Sequence, residues 1–152
     1  MEKNNFDLGN ILHISLAVKN IEAASKRIAE VFKVDPPTIS DPGKSDDKYP
    51  VYYKGKKTEA YYKSCTMNIG NMAVDLLQPV GKPNSVSDFL SKNGNGVQHI
   101  LFKVDDLSAG VETLKGEGLE VIEEGSFPGG KYAFLDFPEM GVAIELCQLD
   151  SK

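Results

Sequence analysis

The chain of 152 residues has 41% hydrophobic and 26% charged side chains, the composition of a globular protein long enough to bury one sizeable core. Its net charge is −5, with 17 Lys plus Arg against 22 Asp plus Glu and no basic run, which argues against a surface that tracks nucleic-acid phosphates. No apolar stretch approaches the roughly 18 residues of a membrane span. Two cysteines, Cys65 and Cys147, are too few for a disulfide scaffold or an all-cysteine zinc site and are read as reduced thiols. With a start, Met1–Asn5, too polar for a signal peptide, the expected location is cytoplasmic.

In chain order, the first pattern is a strand. Ile14, Leu16 and Val18 fall on one face, with His13 and Ser15 on the other. Asn20 follows as an N-cap, and Ile21, Ala24, Ile28 and Val31 keep the spacing of an amphipathic helix. Asp35 to Thr58 is rich in Pro, Gly, Lys, Asp and Tyr. It reads as an elaborated loop with one short strand at Pro50 to Tyr53, and a loop of that length in a compact domain is often functional. A strand through Ala73-Val-Asp75-Leu-Leu-Gln78 closes the first half. Gly81 to Asn95 joins the halves, with a short helix around Ser87–Lys92 before the Asn93-Gly-Asn-Gly96 turn.

From there the pattern starts again. His99-Ile-Leu-Phe-Lys-Val-Asp-Asp-Leu107 overlays His13-Ile-Ser-Leu-Ala-Val-Lys-Asn-Ile21 at an offset of 86. Asp106 takes the N-cap place of Asn20, Leu107, Val111 and Leu114 carry the helical stripe, and Gly116 and Gly118 end the helix. Ala143-Ile-Glu145-Leu-Cys-Gln148 overlays Ala73–Gln78 at an offset of 70, so the first half holds 16 extra residues, which fall within 35–58. The expected fold is α+β: one domain over 1–152, with βαβββ modules at about 11–80 and 96–149 and a linker at 81–95. Side by side, the modules make a curved, cup-like mixed sheet with helices outside.

The chain's only two histidines, His13 and His99, occupy equivalent positions, and each half adds one carboxylate, Asp75 or Glu145. A single strand histidine is ordinarily a core or surface residue. Two imidazoles and one or two carboxylates from different strands instead form a mixed N/O shell that suits a divalent metal with positions left open for substrate. Asp75 and Glu145 lie in apolar runs, and a buried carboxylate needs a partner. Cys147 shares the face of Glu145 and reads as a small buried hydrophobe, and Lys103 as a strand-end lysine reaching solvent. Tyr52, Tyr53, Tyr61 and Tyr62 read as packing and rim contacts, and Phe127-Pro-Gly-Gly130 as a turn.

At these residues the chain resembles the vicinal oxygen chelate superfamily of lactoylglutathione lyase, methylmalonyl-CoA epimerase, extradiol dioxygenases and bleomycin-resistance proteins. The best local match is to the epimerases, through Val74-Asp-Leu-Leu-Gln-Pro-Val80, Phe89-Leu-Ser-Lys-Asn-Gly94 and Gly96-Val-Gln-His-Ile-Leu-Phe-Lys-Val-Asp-Asp106. The resemblance implies that His13, His99 and Glu145 are metal ligands. It puts Asp75 at a fourth ligand position where Glu or Gln is more usual, and Glu59 where the epimerases carry a catalytic carboxylate. It further implies a divalent Co, Mn, Ni, Zn or Fe ion that stabilises an enolate, with Glu145 and Glu59 as bases. The favoured substrate is a methylmalonyl-CoA-like thioester. The alternatives are a lactoylglutathione lyase and a metal-free binder of the bleomycin-resistance kind; an extradiol dioxygenase would want a third histidine. The family's habit of pairing modules across subunits implies a homodimer.

Overall fold

The computed structural model describes residues 10–151, so Met1–Asn5 lies outside the described residues. The elements run β1 (Ile11–Ala17), α1 (Ile21–Phe32), β2 (Val51–Tyr53), β3 (Lys56–Thr58), β4 (Tyr61–Ile69), β5 (Met72–Val80) and α2 (Ser85–Asn93). The second half continues with β6 (Gly96–Lys103), α3 (Leu107–Gly116), β7 (Glu120–Phe127), β8 (Gly130–Phe137) and β9 (Val142–Leu149). All strands belong to one nine-stranded sheet in the order β3-β2-β7-β8-β9-β6-β1-β5-β4.

The two helices after β1 and β6 begin as the N-caps dictate. Asn20 accepts from the N–H of Ala23 at 2.8 Å, and Asp106 from that of Ala109 at 3.0 Å. Helix α3 packs Leu107 and Val111 onto Val104, Leu135 and Leu146, while α1 packs Ile21 and Ala29 onto Cys65, Met67 and Leu76. Each helix thus covers its own module's sheet on the face away from both histidines. The stripe of α1 is narrower than its spacing predicts: Val31 is 52% exposed, and Ser25 and Ala29 turn inward instead. Beyond the C-terminal end of the helix, Val34 and Ile39 complete the cluster. Helix α2 carries a capping box at Asn84 and Ser87 and packs Val86 and Leu90 onto Ala17 and Leu77.

The two halves share one register. In β1 and β5, Ser15 lies opposite Asp75, and in β6 and β9, Leu101 lies opposite Glu145, the pairs related by the same offsets as the sequence repeat. Antiparallel pairing of β1 with β6 joins the modules within the sheet.

The long insertion holds more structure than one short strand at Pro50 to Tyr53. It forms a hairpin, β2–β3, because Lys54 (φ 48°) and Gly55 (φ 77°) both adopt positive φ and make the tight turn that such a pair favours. Lys56 and Lys57 of this hairpin are both exposed on β3. The hairpin does not extend its own module. It pairs β2 with β7, the edge strand of the second module, with Tyr52 opposite Glu124. Beside β4, where its own module would take another strand, the described residues contribute only the bridge between Ser40 and Ser64.

Candidate active site

The order β9-β6-β1-β5 puts the two histidine strands side by side in the interior of the sheet, with a carboxylate strand outside each. His13, His99 and Glu145 each present one ligand atom, and these atoms lie within 4.8 Å of one another. The imidazoles meet edge-on, centroids 6.0 Å apart. With Asp75 they line a cavity of about 340 Å³ on the face opposite α1 and α3.

His99 is fixed from two sides. Its Nδ1 meets Gln98 Oε1 at 2.5 Å, and Phe134 packs against the ring at a centroid distance of 4.6 Å. A proton on Nδ1, shared with Gln98, leaves the Nε2 lone pair facing the cavity. That Nε2 is 2.7 Å from Glu145 Oε2, yet it makes no oriented hydrogen bond and is buried without a partner among the described residues. Ser15 Oγ, in the same wall, is likewise buried and unpartnered. Buried polar atoms are normally paired. A nitrogen and a carboxylate oxygen that converge without bonding to each other are arranged as ligands are around a cation, and the N/O donor set fits a first-row divalent metal.

His13 has its pKa lowered. Burial is the largest cause, and His99 pulls the same way against the opposing charges of Asp75 and Glu145. The ring is therefore neutral near pH 7, the form that binds metal. Asp75 lines the cavity but stands outside the convergent trio. Its Oδ2 is 3.3 Å from His13 Nε2 and its Oδ1 accepts from Thr66 Oγ1 at 2.5 Å. Thr66 pairs across from Asp75 as Phe134 pairs across from Glu145, so the shorter carboxylate has a hydroxyl to orient it where the longer one has a ring.

Glu59 is not brought to this cluster. Its side chain is 74% exposed and bound to Lys44 at 2.9 Å, and that hydrogen bond holds its pKa below the usual value. Cys147 lines the cavity as a thiol whose pKa burial, with some help from Glu145, pushes up to about 12. Lys103 is exposed. Among the tyrosines, Tyr62 walls the cavity, Tyr53 bonds Asp88 and Tyr52 is 38% exposed.

Sequence reasoning missed Glu123, which is fully buried. It accepts from the Ser85 N–H at 2.8 Å, from Tyr132 Oη at 3.0 Å and from Tyr62 Oη. Burial raises its pKa against the opposing pull of these donors. In Val121-Ile-Glu-Glu-Gly125 strict alternation would put Glu123 on the same face as Val121. A break in register between those two residues sends it inward to lie opposite Phe134. A bulge of this kind has no reliable sequence signal.

Residues 12–148 match the family model described as Glyoxalase/Bleomycin resistance protein/Dioxygenase superfamily. Among curated proteins, the mitochondrial methylmalonyl-CoA epimerase of Dictyostelium discoideum is 26% identical over 117 residues, 76% of this chain and 61% of that protein's length. The mitochondrial methylmalonyl-CoA epimerase of Mus musculus is 27% identical over 146 residues, covering 93% of this chain and 74% of the mouse protein. Among solved structures, the methylmalonyl-CoA epimerase of Mycobacterium tuberculosis superposes with a TM-score of 0.62 at 18% identity, covering 93% of this chain and 88% of that one, a likeness of fold.

Proposed function

This chain belongs to the Glyoxalase/Bleomycin resistance protein/Dioxygenase superfamily, and from that premise we propose that it is a metal-dependent epimerase. It removes and returns a proton next to a carbonyl, with a methylmalonyl-CoA-like thioester as substrate. The observation that carries this reading is that His13, His99 and Glu145 bring their ligand atoms within 4.8 Å of one another in the cavity wall. The curated relatives named above, methylmalonyl-CoA epimerases, support the substrate class.

On this reading His13, His99 and Glu145 hold a divalent ion, with Asp75 as the fourth group. Co, Mn, Ni, Zn and Fe all suit that donor set. When bound, the ion supplies Lewis acidity to the substrate carbonyl. Gln98 keeps His99 in the tautomer that presents Nε2. Inversion at a carbon needs a proton acceptor on each of its faces. The carboxylates of Glu145 and Asp75, on the strands flanking the histidine pair, stand on either side of the cavity, and Glu145 takes the proton on one side. Glu59 contributes on the other only after leaving Lys44, because its carboxylate faces solvent. Phe134 and Tyr132 wall the cavity and limit water around the reacting carbon. A homodimer and a reducing, cytoplasmic location, in keeping with two free buried thiols, belong to the same reading.

The test is metal content on untagged protein beside a His13→Ala/His99→Ala double variant, followed by assay of both candidate reactions. About one transition metal per chain, lost in the variant, together with inversion of one-handed methylmalonyl-CoA, supports the proposal. Isomerisation of the methylglyoxal–glutathione adduct without epimerisation would move the assignment to a lactoylglutathione lyase. Absence of metal even after incubation with Mn, Co, Ni or Zn would move it to a metal-free binder.

A further inference from the structure

Next to the metal-site cavity lies a second one, also about 340 Å³, and the two share the walls formed by Tyr62, Ser64, Leu77, Phe127 and Tyr132. The 35–58 insertion supplies the far side of this chamber through residues such as Pro42, Tyr49 and Val51, and the β7–β8 turn supplies Phe127 and Pro128. The hairpin's pairing with β7 holds these two sides at a fixed separation, with the Ser126 N–H bonded to Pro50 O at 3.2 Å.

Most polar groups around the chamber already bond one another. Ser45 Oγ donates to Thr58 O at 2.7 Å, and Asp46 Oδ1 accepts from the N–H groups of Lys48 and Tyr49 at 2.9 and 2.8 Å. Lys44 Nζ is spent on Glu59. The hydroxyls of Tyr62 and Tyr132 are both drawn to buried Glu123, which leaves their ring carbons to the chamber. Val51, Ala60, Leu77, Phe127 and Pro128 make up much of the rest of the wall. With Tyr61 drawn to Asp41, the groups that remain are the hydroxyls of Ser64, Ser126 and Tyr49 and the second oxygen of Asp46, and an amide of a coenzyme arm set against the apolar part of the wall would go unpaired and be penalised. A hydrocarbon has no such requirement and gains from leaving water.

We propose that this chamber is an apolar subsite for the hydrocarbon branch on the carbon next to the carbonyl, so that the chain takes thioesters whose branch has four carbons or more. The inference rests on the function proposed above. With the substrate's carboxylate and carbonyl oxygens turned toward His13, His99 and Glu145, the branch is the group on that carbon free to point into an adjoining apolar space. Glu123 acts as a positioning residue, holding the two phenols so that carbon rather than oxygen lines that space.

The experiment titrates the Mn-loaded protein with malonate, methylmalonate, butylmalonate and benzylmalonate by calorimetry, then repeats the series with Ala60→Phe and with Val51→Trp, two independent ways of filling the chamber. Each buried methylene strengthens binding about fourfold, so butylmalonate should bind at least tenfold more tightly than methylmalonate, and either variant that keeps the native circular dichroism should erase most of that ratio. Equal affinity along the series, or no binding by any dicarboxylate, overturns the subsite. Epimerisation of methylmalonyl-CoA with no gain from a longer branch would leave the function standing and remove the chamber's role. A branch-dependent gain that Ala60→Phe abolishes, without epimerisation of any thioester, would keep the subsite and remove the function.

Discussion

Glu145 Oε2 lies 2.7 Å from His99 Nε2, and yet the two atoms form no oriented hydrogen bond. They come from neighbouring parallel strands, where the register puts Leu101 rather than His99 opposite Glu145, so the imidazole and the carboxylate approach at an angle and point past each other into the cavity. This geometry makes the site a candidate for holding a cation instead of an ion pair.

Gln98→Leu should weaken metal binding without unfolding the protein. The substitution removes the acceptor on His99 Nδ1 while keeping a side chain of similar size in the same buried place. Loss of such a supporting hydrogen bond costs on the order of 10- to 100-fold in affinity. Competition with a chelator measures it, and an affinity equal to that of the parent would show that Gln98 does not orient the ring.

Much of this site is legible in the sequence because the repeat is. His13 and His99 are marked as equivalent by their neighbours, and the alternation that follows each histidine along its strand sends both to one face. The observed pairs, Ser15 with Asp75 and Leu101 with Glu145, follow the same two offsets. What escapes is whatever breaks the period or depends on distant chain. Glu123 is turned inward by a local shift in register, and its charge in the run Glu120-Val-Ile-Glu-Glu124 looks like that of a solvated strand. The β2–β3 hairpin pairs with β7, about seventy residues away, and no spacing within 35–58 announces that partner. Val31 fits the helical stripe of α1 but lies beyond the area of sheet that the helix covers.

The penalty of Glu123→Gln should depend on pH with a definite sign. Burial raises the folded pKa of Glu123 above its ordinary value near 4.5, so between those two values the unfolded chain has released a proton that the folded chain retains. Stability owed to the protonated group is fully present below about pH 4.5 and declines as pH rises through the folded pKa. The stability difference between parent and variant should therefore be largest in acid and smaller at pH 7.5. Urea unfolding of both proteins at several pH values measures it. A difference that grows with rising pH would contradict a raised pKa.

Both cysteines should resist modification in the native state. Burial pushes the thiol of Cys65 up to about 11 and that of Cys147 to about 12, and the reactive species is the thiolate. At pH 8 a disulfide reagent should label neither residue on the timescale on which it labels the urea-unfolded chain. Rapid labelling of Cys147 in the folded protein would mean that the cavity floor is more open and more polar than its geometry indicates.

Gly55→Ala should destabilise the insertion. The residue has a φ of 77° with open space around it, so the added methyl group meets no neighbour and the cost is one of backbone conformation. A non-glycine residue in that region costs about 1–2 kcal/mol. The change should appear in urea unfolding and, if the hairpin frays, as faster hydrogen exchange along β2. Parent-like stability would show that the turn can adopt another form.

The most direct test of the central claim is exchange of the proton next to the carbonyl of methylmalonyl-CoA with solvent deuterium, followed by NMR with the metal-loaded protein, the chelator-treated protein and His99→Ala. The account predicts enzyme-dependent incorporation of deuterium that is lost on chelation, restored by a divalent metal and absent in the variant. Exchange that is no faster than in buffer, or that is unchanged by chelation and by His99→Ala, would contradict a metal-dependent epimerase built on His13, His99 and Glu145.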